Sequence, residues 1–396
     1  MLMEDSASGL SLSAGENTTQ DCVDRDQGQE EQNDIGGILD LSSHPACVEG
    51  AEHSQVEDGY SMENDTADAG PELEEFTRTV GIQVDSANLA RGRQFQLLSI
   101  STIADEDALR CVTGIGTFDI FYMLADLYTE IRLLQSSRSF CVANEDAILL
   151  TFVKLYHNVS SSLLAVLFGV HRTTASNIFK ESVQTLAAVL QHAIFQPTKE
   201  AVLACLTKYF QRFSSTRMIL DCTEIPLQQP TDLASRLLTY SHYKKTHTVK
   251  ILVCETPGGL ISYLSPAYGG RTSDTHITKE SKVLETCEPH IDSVMVDKGF
   301  LIDDLCSEHA IKLIRPPFLK KKKQFSPHEA EQTQSIASAR VHVERAIQRM
   351  KLFKILQQRF PLELLPYIND ITTIVAALAN IGKPIFSENK FLFTGT

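Results

Sequence analysis

The feature that most constrains the fold is a change of apolar period near Arg217. Before it, from about residue 108 to 196, apolar side chains recur at the three-and-four spacing of helices. After it, short runs rich in branched apolar residues are typical of strands. These runs are 218–225, 246–254, 260–265, 293–297 and 311–315.

The order of these runs predicts the topology. Helical patterns at 273–284 and 301–309 separate the last three strands, and long helices follow the fifth. Three antiparallel strands extended by parallel strands through helical connections are the order of a ribonuclease-H-like core. We therefore expect an α/β domain over 217–383, with a mixed five-stranded sheet and flanking helices. An all-α region over 108–196 precedes it.

A helix-turn-helix is predicted within this all-α region. The apolar segment 160–169 ends at a glycine and leads into a second segment at 172–180. A glycine at the turn, and the small Ala165 before it, let two helices cross closely. The second helix would read DNA. Its polar side chains available for bases or phosphates are Thr174, Ser176, Asn177 and Lys180. An ordinary helical hairpin that supports the next domain fits the same pattern.

The first 85 residues differ in composition from the rest of the chain. Residues 1–80 hold 20 acidic and 2 basic residues, a net charge of −18, which leaves 34 basic and 30 acidic residues, a net charge of +4, for 81–396. So polar a segment cannot bury enough apolar surface to offset its ordering entropy. We expect a disordered acidic tail over 1–85. The total charge of −14 therefore does not argue against nucleic-acid binding by the remainder.

Neither export nor membrane insertion is predicted. The first fifteen residues lack a basic start, an apolar run and a small-residue cleavage site. The most apolar later stretch, 374–379, is too short to cross a bilayer. We expect a soluble intracellular protein.

Two acids occupy strand positions at which metal ligands can meet. Asp221 lies inside an apolar strand, where an acid needs a partner or a metal ion. Asp297 ends the fourth strand, and ligands collect beside the carboxyl ends of strands in such sheets. The first and fourth strands are neighbours in the predicted topology, so the two acids can meet. A turn before Gly299 is the alternative explanation of Asp297.

A third acid is predicted from a helix over 329–351. The apolar stripe of this helix consists of Ile336, Ala339, Val343, Ile347 and Met350. Glu344 lies at the flank of the stripe, from which it can reach the edge of the sheet. The alternative is a solvated Glu344 that pairs with Arg340 or Gln348.

Together, Asp221, Asp297 and Glu344 are the oxygen ligands that two divalent ions need for phosphodiester cleavage. Glu224 and Asp274 are rival ligands, and Asp274 also suits a helix cap.

Positive charge concentrates around the predicted third acid. Residues 301–360 hold 12 Lys and Arg against 6 Asp and Glu. The basic residues of interest are Lys320, Lys321, Lys322, Lys323, Arg340, Arg345, Arg349 and Lys351. Contacts with a phosphate backbone would use such side chains. A solvated loop and a nuclear-import signal are the alternatives for the lysine run.

Six segments together resemble the DDE transposases of the PIF/Harbinger superfamily. They are Asp-Cys-Thr-Glu-Ile at 221–225, Tyr-Lys-Lys-Thr-His-Thr-Val-Lys at 243–250, Ser-Pro-Ala-Tyr-Gly-Gly-Arg-Thr-Ser-Asp at 265–274, Val-Asp-Lys-Gly-Phe at 296–300, Pro-Pro-Phe-Leu followed by four Lys and Gln-Phe-Ser-Pro at 316–327, and Arg-Val-His-Val-Glu-Arg-Ala-Ile at 340–347. The resemblance spans about 111–381 and includes the helix-turn-helix.

The resemblance implies cutting and strand transfer of DNA, with Mg²⁺ or Mn²⁺ bound by the catalytic residues Asp221, Asp297 and Glu344. We expect the protein to act in the nucleus. There are two departures. Residues 1–85 contain only Cys22 and Cys47, too few for the N-terminal cysteine-histidine zinc finger of some relatives. The segment 243–250 is shifted by one residue from a His-Asn-Thr form. DNA is the expected partner, and a helper DNA-binding protein and a homo-oligomer are compatible with the resemblance.

Three functions are compatible with this pattern. The first is an active metal-dependent DNA endonuclease or transposase, which the intact set of three acids favours. The second is a domesticated DNA-binding protein that keeps the fold but no longer cuts. The third is a ribonuclease or another metal-dependent phosphohydrolase, since the carboxylates do not select the sugar.

Overall fold

The computed structural model describes residues 96–135, 140–319, 324–386 and 390–392 of the 396-residue chain. The predicted acidic tail over 1–85 and the lysines at 320–323 lie outside these described residues.

Ahead of the sheet, the described chain is helical. A 3-10 turn at Ile100–Thr102 is followed by α1 (Glu106–Thr113), α2 (Phe118–Leu134), α3 (Asn144–His157), α4 (Ser161–Phe168) and α5 (Arg172–Leu190). The central helix is α3, which is buried from Asp146 to Leu155 because α1, α2 and α5 pack around it. A helix enclosed in this way carries apolar residues on every side rather than on one stripe, and its buried polar residues are Asp146, Thr151 and Lys154.

The helices α4 and α5 pack against each other as the predicted helix-turn-helix. Ser160 caps α4 by accepting a hydrogen bond from the backbone N–H of Leu163. Gly169 ends α4 with a φ of 61°, a left-handed conformation that glycine adopts without a Cβ clash. The ring of His171 then caps α5 by accepting a hydrogen bond from the N–H of Thr173.

Short segments lead from α5 into a mixed sheet. They are a 3-10 turn at Gln191–Ala193, α6 (Lys199–Ala204) and a 3-10 turn at Lys208–Phe213. The strands are β1 (Thr216–Pro226), β2 (Tyr240–Ser241), β3 (Thr246–Glu255), β4 (Ile261–Leu264), β5 (Tyr268–Gly269), β6 (Ser293–Met295) and β7 (Lys312–Ile314).

Within the described residues, the sheet order is β2-β3-β1-β6-β7, and β4 and β5 also pair with β3. The strand β3 is antiparallel to β1, whereas β6 is parallel to both β1 and β7. The predicted mixed α/β sheet, with its first and fourth predicted strands side by side, is therefore confirmed. The two-residue strands β2 and β5 were not predicted.

Helices cover both faces of the sheet. They are α7 (Leu233–Thr239), α8 (Asp274–Ser281), α9 (Asp303–Glu308), α10 (Pro327–Lys351), α11 (Lys354–Gln357) and α12 (Ile368–Ile381), with 3-10 turns at Val283–Thr286 and Leu362–Tyr367. One apolar cluster joins Ile219 and Val253 to α10, α12 and the helical region. A second joins Leu220 and Leu252 to α8 and α9 on the opposite face. Alternate residues of each strand therefore enter different cores.

By length and composition, Leu362–Ile381 is apolar enough to cross a membrane, and the bent pair α1 and α2 would be a second candidate within the described residues. Core helices of soluble proteins meet the same criterion. The residues of α12 that lie in the core are Ile368, Ile371, Thr372, Ile374, Val375, Ala376 and Ala377.

Candidate active site

A cleft opens where β6 stops short of β1. The parallel pairing of these strands ends at Ile219 opposite Met295. Continued for two residues on each chain, this register brings Asp221 level with Asp297 and on the same face, since side chains alternate along a strand. On its other side β1 stays paired with β3 through Pro226, so the backbone that carries Asp221 is held in place.

The helix α10 covers this face of the sheet. It begins with a capping box in which Ser326 and Glu329 satisfy each other's backbone N–H groups. The predicted stripe from Ile336 to Met350 is buried against the sheet. Glu344, at the flank of the stripe, is exposed and faces the cleft.

The three predicted acids thus line one cleft of about 490 Å³. Its other acidic residues are Glu224 and Asp274, and its basic residues are Lys244, Lys250, Arg340 and Lys351. Tyr243, which the sequence patterns did not single out as a site residue, also lines it, as do Lys244 and Lys250. The polar Lys250 inside the apolar run of β3 was a signal that could have found this side of the cleft.

Among the three predicted acids, Asp221 has a raised pKa. Burial raises its pKa to about 6, the positive charge of Arg340 opposes the rise, and the charge of Asp297 adds to it. A carboxylate in this environment is stabilised by any cation that enters the cleft.

Arg340 is the cation that balances this site. Its guanidinium donates a hydrogen bond of 2.8 Å to Asp297, and its side chain is 10% exposed whereas that of Asp297 is 55% exposed. Arg340 therefore pairs with Asp297 in the described structure, not with Glu344 as in the alternative from the sequence. Its use as a phosphate ligand stays a prediction.

The remaining arginines of α10 are directed elsewhere. Arg349 donates hydrogen bonds to the backbone carbonyls of Ala379, Lys383 and Pro384, so the expectation that it adds positive charge beside Glu344 is wrong. Arg345 is exposed and does not line the cleft. Lys351 does line it, and burial lowers its pKa.

The rival ligands already have partners. Asp274 is not a helix cap, because Ser273 caps α8, and Asp274 instead lies 3.1 Å from the ammonium of Lys250. Glu224 accepts a hydrogen bond of 2.7 Å from the hydroxyl of Thr248. Glu224 faces the cleft from β1, and Asp274 faces it from the first residue of α8.

The predicted DNA-reading side chains lie along the first turns of α5. Asn177 is exposed, and Thr174, Ser176 and Lys180 are half-buried. The ammonium of Lys180 lies 5.9 Å from the ring centroid of Tyr367. The helix therefore presents a polar surface, part of which already packs on the region that follows the sheet.

The carboxylates fit a hard divalent cation in their chemistry but are not preassembled around one. Among the described residues, no three His, Cys, Asp or Glu side chains are positioned to hold a metal ion. Carboxylate oxygens are nevertheless the donors that Mg²⁺ prefers. Since Asp297 and Glu344 are exposed, both side chains can turn toward Asp221 without disturbing the core.

Two family models match this chain. Residues 220–380 match the DDE superfamily endonuclease, and residues 141–192 match the helix-turn-helix of DDE superfamily endonucleases. No curated protein and no solved structure matches. The first match covers the strands and helices that build the cleft, and the second covers α3, α4 and α5. With a helix-turn-helix ahead of an endonuclease fold, the chain belongs to the DDE superfamily of transposase-type endonucleases.

Proposed function

We propose that this protein cleaves DNA with two divalent ions, Mg²⁺ or Mn²⁺, held by Asp221, Asp297 and Glu344. The observation that carries the proposal is that Asp221, on β1, Asp297, at the turn that follows β6, and Glu344, on α10, line one cleft. The superfamily generally uses divalent metal ions, and its endonuclease domain acts on DNA.

The side chains of the cleft have separate tasks in this proposal. Bound ions would activate the attacking water or hydroxyl and stabilise the leaving oxygen. Asp221 is the fixed ligand, because β1 is paired with β3 at this position. Asp297 becomes available when Arg340 releases it, and the guanidinium is then free for a phosphate oxygen. Lys244 and Lys351 neutralise the incoming backbone.

DNA also binds the helix-turn-helix in this proposal. Thr174, Ser176, Asn177 and Lys180 would contact bases or phosphates, and Arg345 and the lysines at 320–323 would contact the backbone. The protein would act in the nucleus, as a member of the PIF/Harbinger type. A helper DNA-binding protein and self-association are compatible with this function.

Nicking of a supercoiled plasmid tests the cleavage. We expect nicking by the wild-type chain with Mg²⁺ or Mn²⁺ and none with a chelator. Asp221→Asn, Asp297→Asn and Glu344→Gln should each lower the rate by at least about a hundredfold, as expected for removed metal ligands. Glu224→Gln and Asp274→Asn are matched controls from the same cleft and should retain most activity.

The possible outcomes separate the competing functions. DNA binding without metal-dependent nicking would contradict the proposal and favour a silent DNA-binding protein. Cleavage of an RNA strand with no cleavage of DNA would favour a ribonuclease. Loss of activity in the control variants alone would move the ligand set to Glu224 and Asp274.

A further inference from the structure

Tyr243 lies at the tip of a braced loop beside the candidate active site. The loop 242–245 joins β2 to β3, which are paired through Ser241 and Thr246. Ser241 is buried, and its backbone carbonyl accepts a hydrogen bond of 2.8 Å from the N–H of Lys245. Its hydroxyl accepts one of 3.1 Å from the N–H of Lys244. The loop therefore has a fixed base that positions its tip.

The ring of Tyr243 is open to solvent although it belongs to the cleft. Its exposed fraction is 81%, and it lines the same cleft as Asp221, Asp297 and Glu344. The ammonium of Lys244 lies 4.6 Å from the ring centroid. A cation near a ring at this distance restrains it, and the high exposure leaves ring surface free to receive another flat group.

Positive charge lies next to this ring. Lys244 and Lys351 both line the cleft. Burial lowers the pKa of Lys351, the charge of Lys244 lowers it further, and the charges of Asp221 and Glu224 oppose the fall. Two ammonium groups that line one side of the cleft attract a phosphate. A nucleotide held by its phosphate at these lysines would carry its base toward Tyr243.

We propose that Tyr243 is a stacking platform for a DNA base that has left the double helix next to the phosphate bound in the cleft. This inference rests on the proposed function in one respect, that the substrate is DNA. An exposed ring flanked by lysines is the arrangement by which proteins hold unpaired bases, because every base has a flat face to stack.

The chain contains no tryptophan, which permits a direct test. Tyr243→Trp places a single fluorescent indole at the loop tip. Tyr122→Trp, at an exposed tyrosine of α2, is the matched control outside the cleft. The full chain with a chelator is titrated with an oligothymidylate of about 16 nucleotides, a length sufficient for one binding site. The same titration is made with an oligomer of equal length and charge in which every base is missing.

The expected result is base-dependent. The fluorescence emission of Tyr243→Trp falls when the oligothymidylate is added and changes little with the abasic oligomer. The emission of Tyr122→Trp changes with neither oligomer. Tyr243→Ala weakens binding of the oligothymidylate about tenfold, as expected for one lost stacking partner. Tyr243→Phe retains the affinity for the oligothymidylate. The affinity for the abasic oligomer is the same in the wild-type, Tyr243→Ala and Tyr243→Phe.

Equal emission changes with both oligomers, or unaltered oligothymidylate affinity in Tyr243→Ala, would overturn the platform. Plasmid nicking by the wild-type chain is measured separately. Nicking without a base-dependent signal rejects the platform and leaves the proposed cleavage standing. A base-dependent signal without nicking supports the stacking platform and contradicts the proposed cleavage.

Discussion

At the scale of single residues, Asp221 and Glu255 show whether burial of an acid in an apolar strand identifies a metal ligand. Asp221 is predicted to be a ligand because an acid surrounded by apolar neighbours needs a partner. Glu255, at the end of β3, satisfies the same argument more strongly. It is fully buried, and neither carboxyl oxygen has a hydrogen-bond partner among the described residues. Yet it does not line the cleft. Burial alone therefore does not distinguish a ligand from a protonated core residue.

The pKa of Glu255 gives a stability prediction. Burial raises it to about 8, and the charge of Arg349 only partly opposes the rise. The folded chain thus holds a proton that the unfolded chain releases near pH 4.5. Stability from this group is complete below about pH 4.5 and is lost as the pH rises to about 8. Glu255→Gln should remove this loss.

Urea unfolding at pH 5 and pH 8.5 measures the effect. We expect Glu255→Gln to unfold at a higher urea concentration than the wild-type at pH 8.5, by a free energy on the order of a few kcal/mol. The difference should shrink at pH 5. A variant less stable than the wild-type at pH 8.5 would mean that the ionised carboxylate has a partner.

The residues of the site differ in how well the sequence could identify them. Asp221 and Asp297 follow from strand order, and Glu344 follows from the phase of an apolar stripe, so all three were placed in one cleft before the structure. Tyr243 and Lys244 could not be placed in this way. Their position depends on a loop between β3 and the two-residue strand β2, which is too short to leave a periodic pattern.

At the scale of elements, α10 is fixed at both ends. Its first turn has the capping box, a signal that is visible in the sequence as Ser-Pro-His-Glu at 326–329. Its last turn is held by Arg349, which donates to the carbonyl of Ala379 in the last turn of α12 and to those of Lys383 and Pro384 beyond it. These carbonyls are distant in sequence, so no local pattern predicts the second anchor. The phase of the helix, and with it the position of Glu344, is set by the buried stripe from Ile336 to Met350.

Arg349→Lys should destabilise the chain. A lysine carries one ammonium group and cannot reproduce the planar fork that reaches several acceptors. We expect a loss of about 1–3 kcal/mol in the free energy of unfolding, the range for hydrogen bonds made by a charged group. Chemical denaturation measures it.

Arg345→Lys is the matched control, since Arg345 is exposed on the same helix. Its effect should stay within about 0.5 kcal/mol, as for surface substitutions. Equal losses in the two variants would show that the carbonyl contacts of Arg349 do not stabilise the helix.

At the scale of the whole molecule, the helical region and the sheet share one apolar cluster. It runs from Leu109 in α1 through α3 and α5 to Ile219 and the residues of α12. The amide of Asn380 joins the same parts, because it donates to the carbonyls of Ala193 and Ile261 and accepts from the N–H of Ile261. The change of period near Arg217 thus marks a change of secondary structure and not the end of a core. Apolar spacing along the sequence does not show which segments pack into the same core.

A fragment that begins at residue 199 should therefore not fold as the full chain does. It keeps every strand and every cleft residue but exposes the face of α12 that packs against α5. We expect weak near-ultraviolet circular dichroism, dye binding to exposed apolar surface and no sharp unfolding transition, the properties of a loosely packed state.

The chain from residue 96 onward is the control and should unfold cooperatively. If the fragment that begins at residue 199 unfolds with the same midpoint as this control, the prediction is wrong, and the sheet and its helices fold without the helical region.

The position of Arg340, Glu344 and Lys351 on one helix has a consequence for changes in chain length. The chain from Asp221 to Asp297, and from there to α10, alternates strands and helices with loops, and those loops can absorb added residues without moving the strands. Within α10 each added residue rotates everything beyond it by about 100°, because the helix has 3.6 residues per turn. One residue inserted between Arg340 and Glu344 would turn the acid away from the cleft while Arg340 stays on Asp297. In related chains, the intervals between the acids should vary freely, and the interval from the arginine to the glutamate should not.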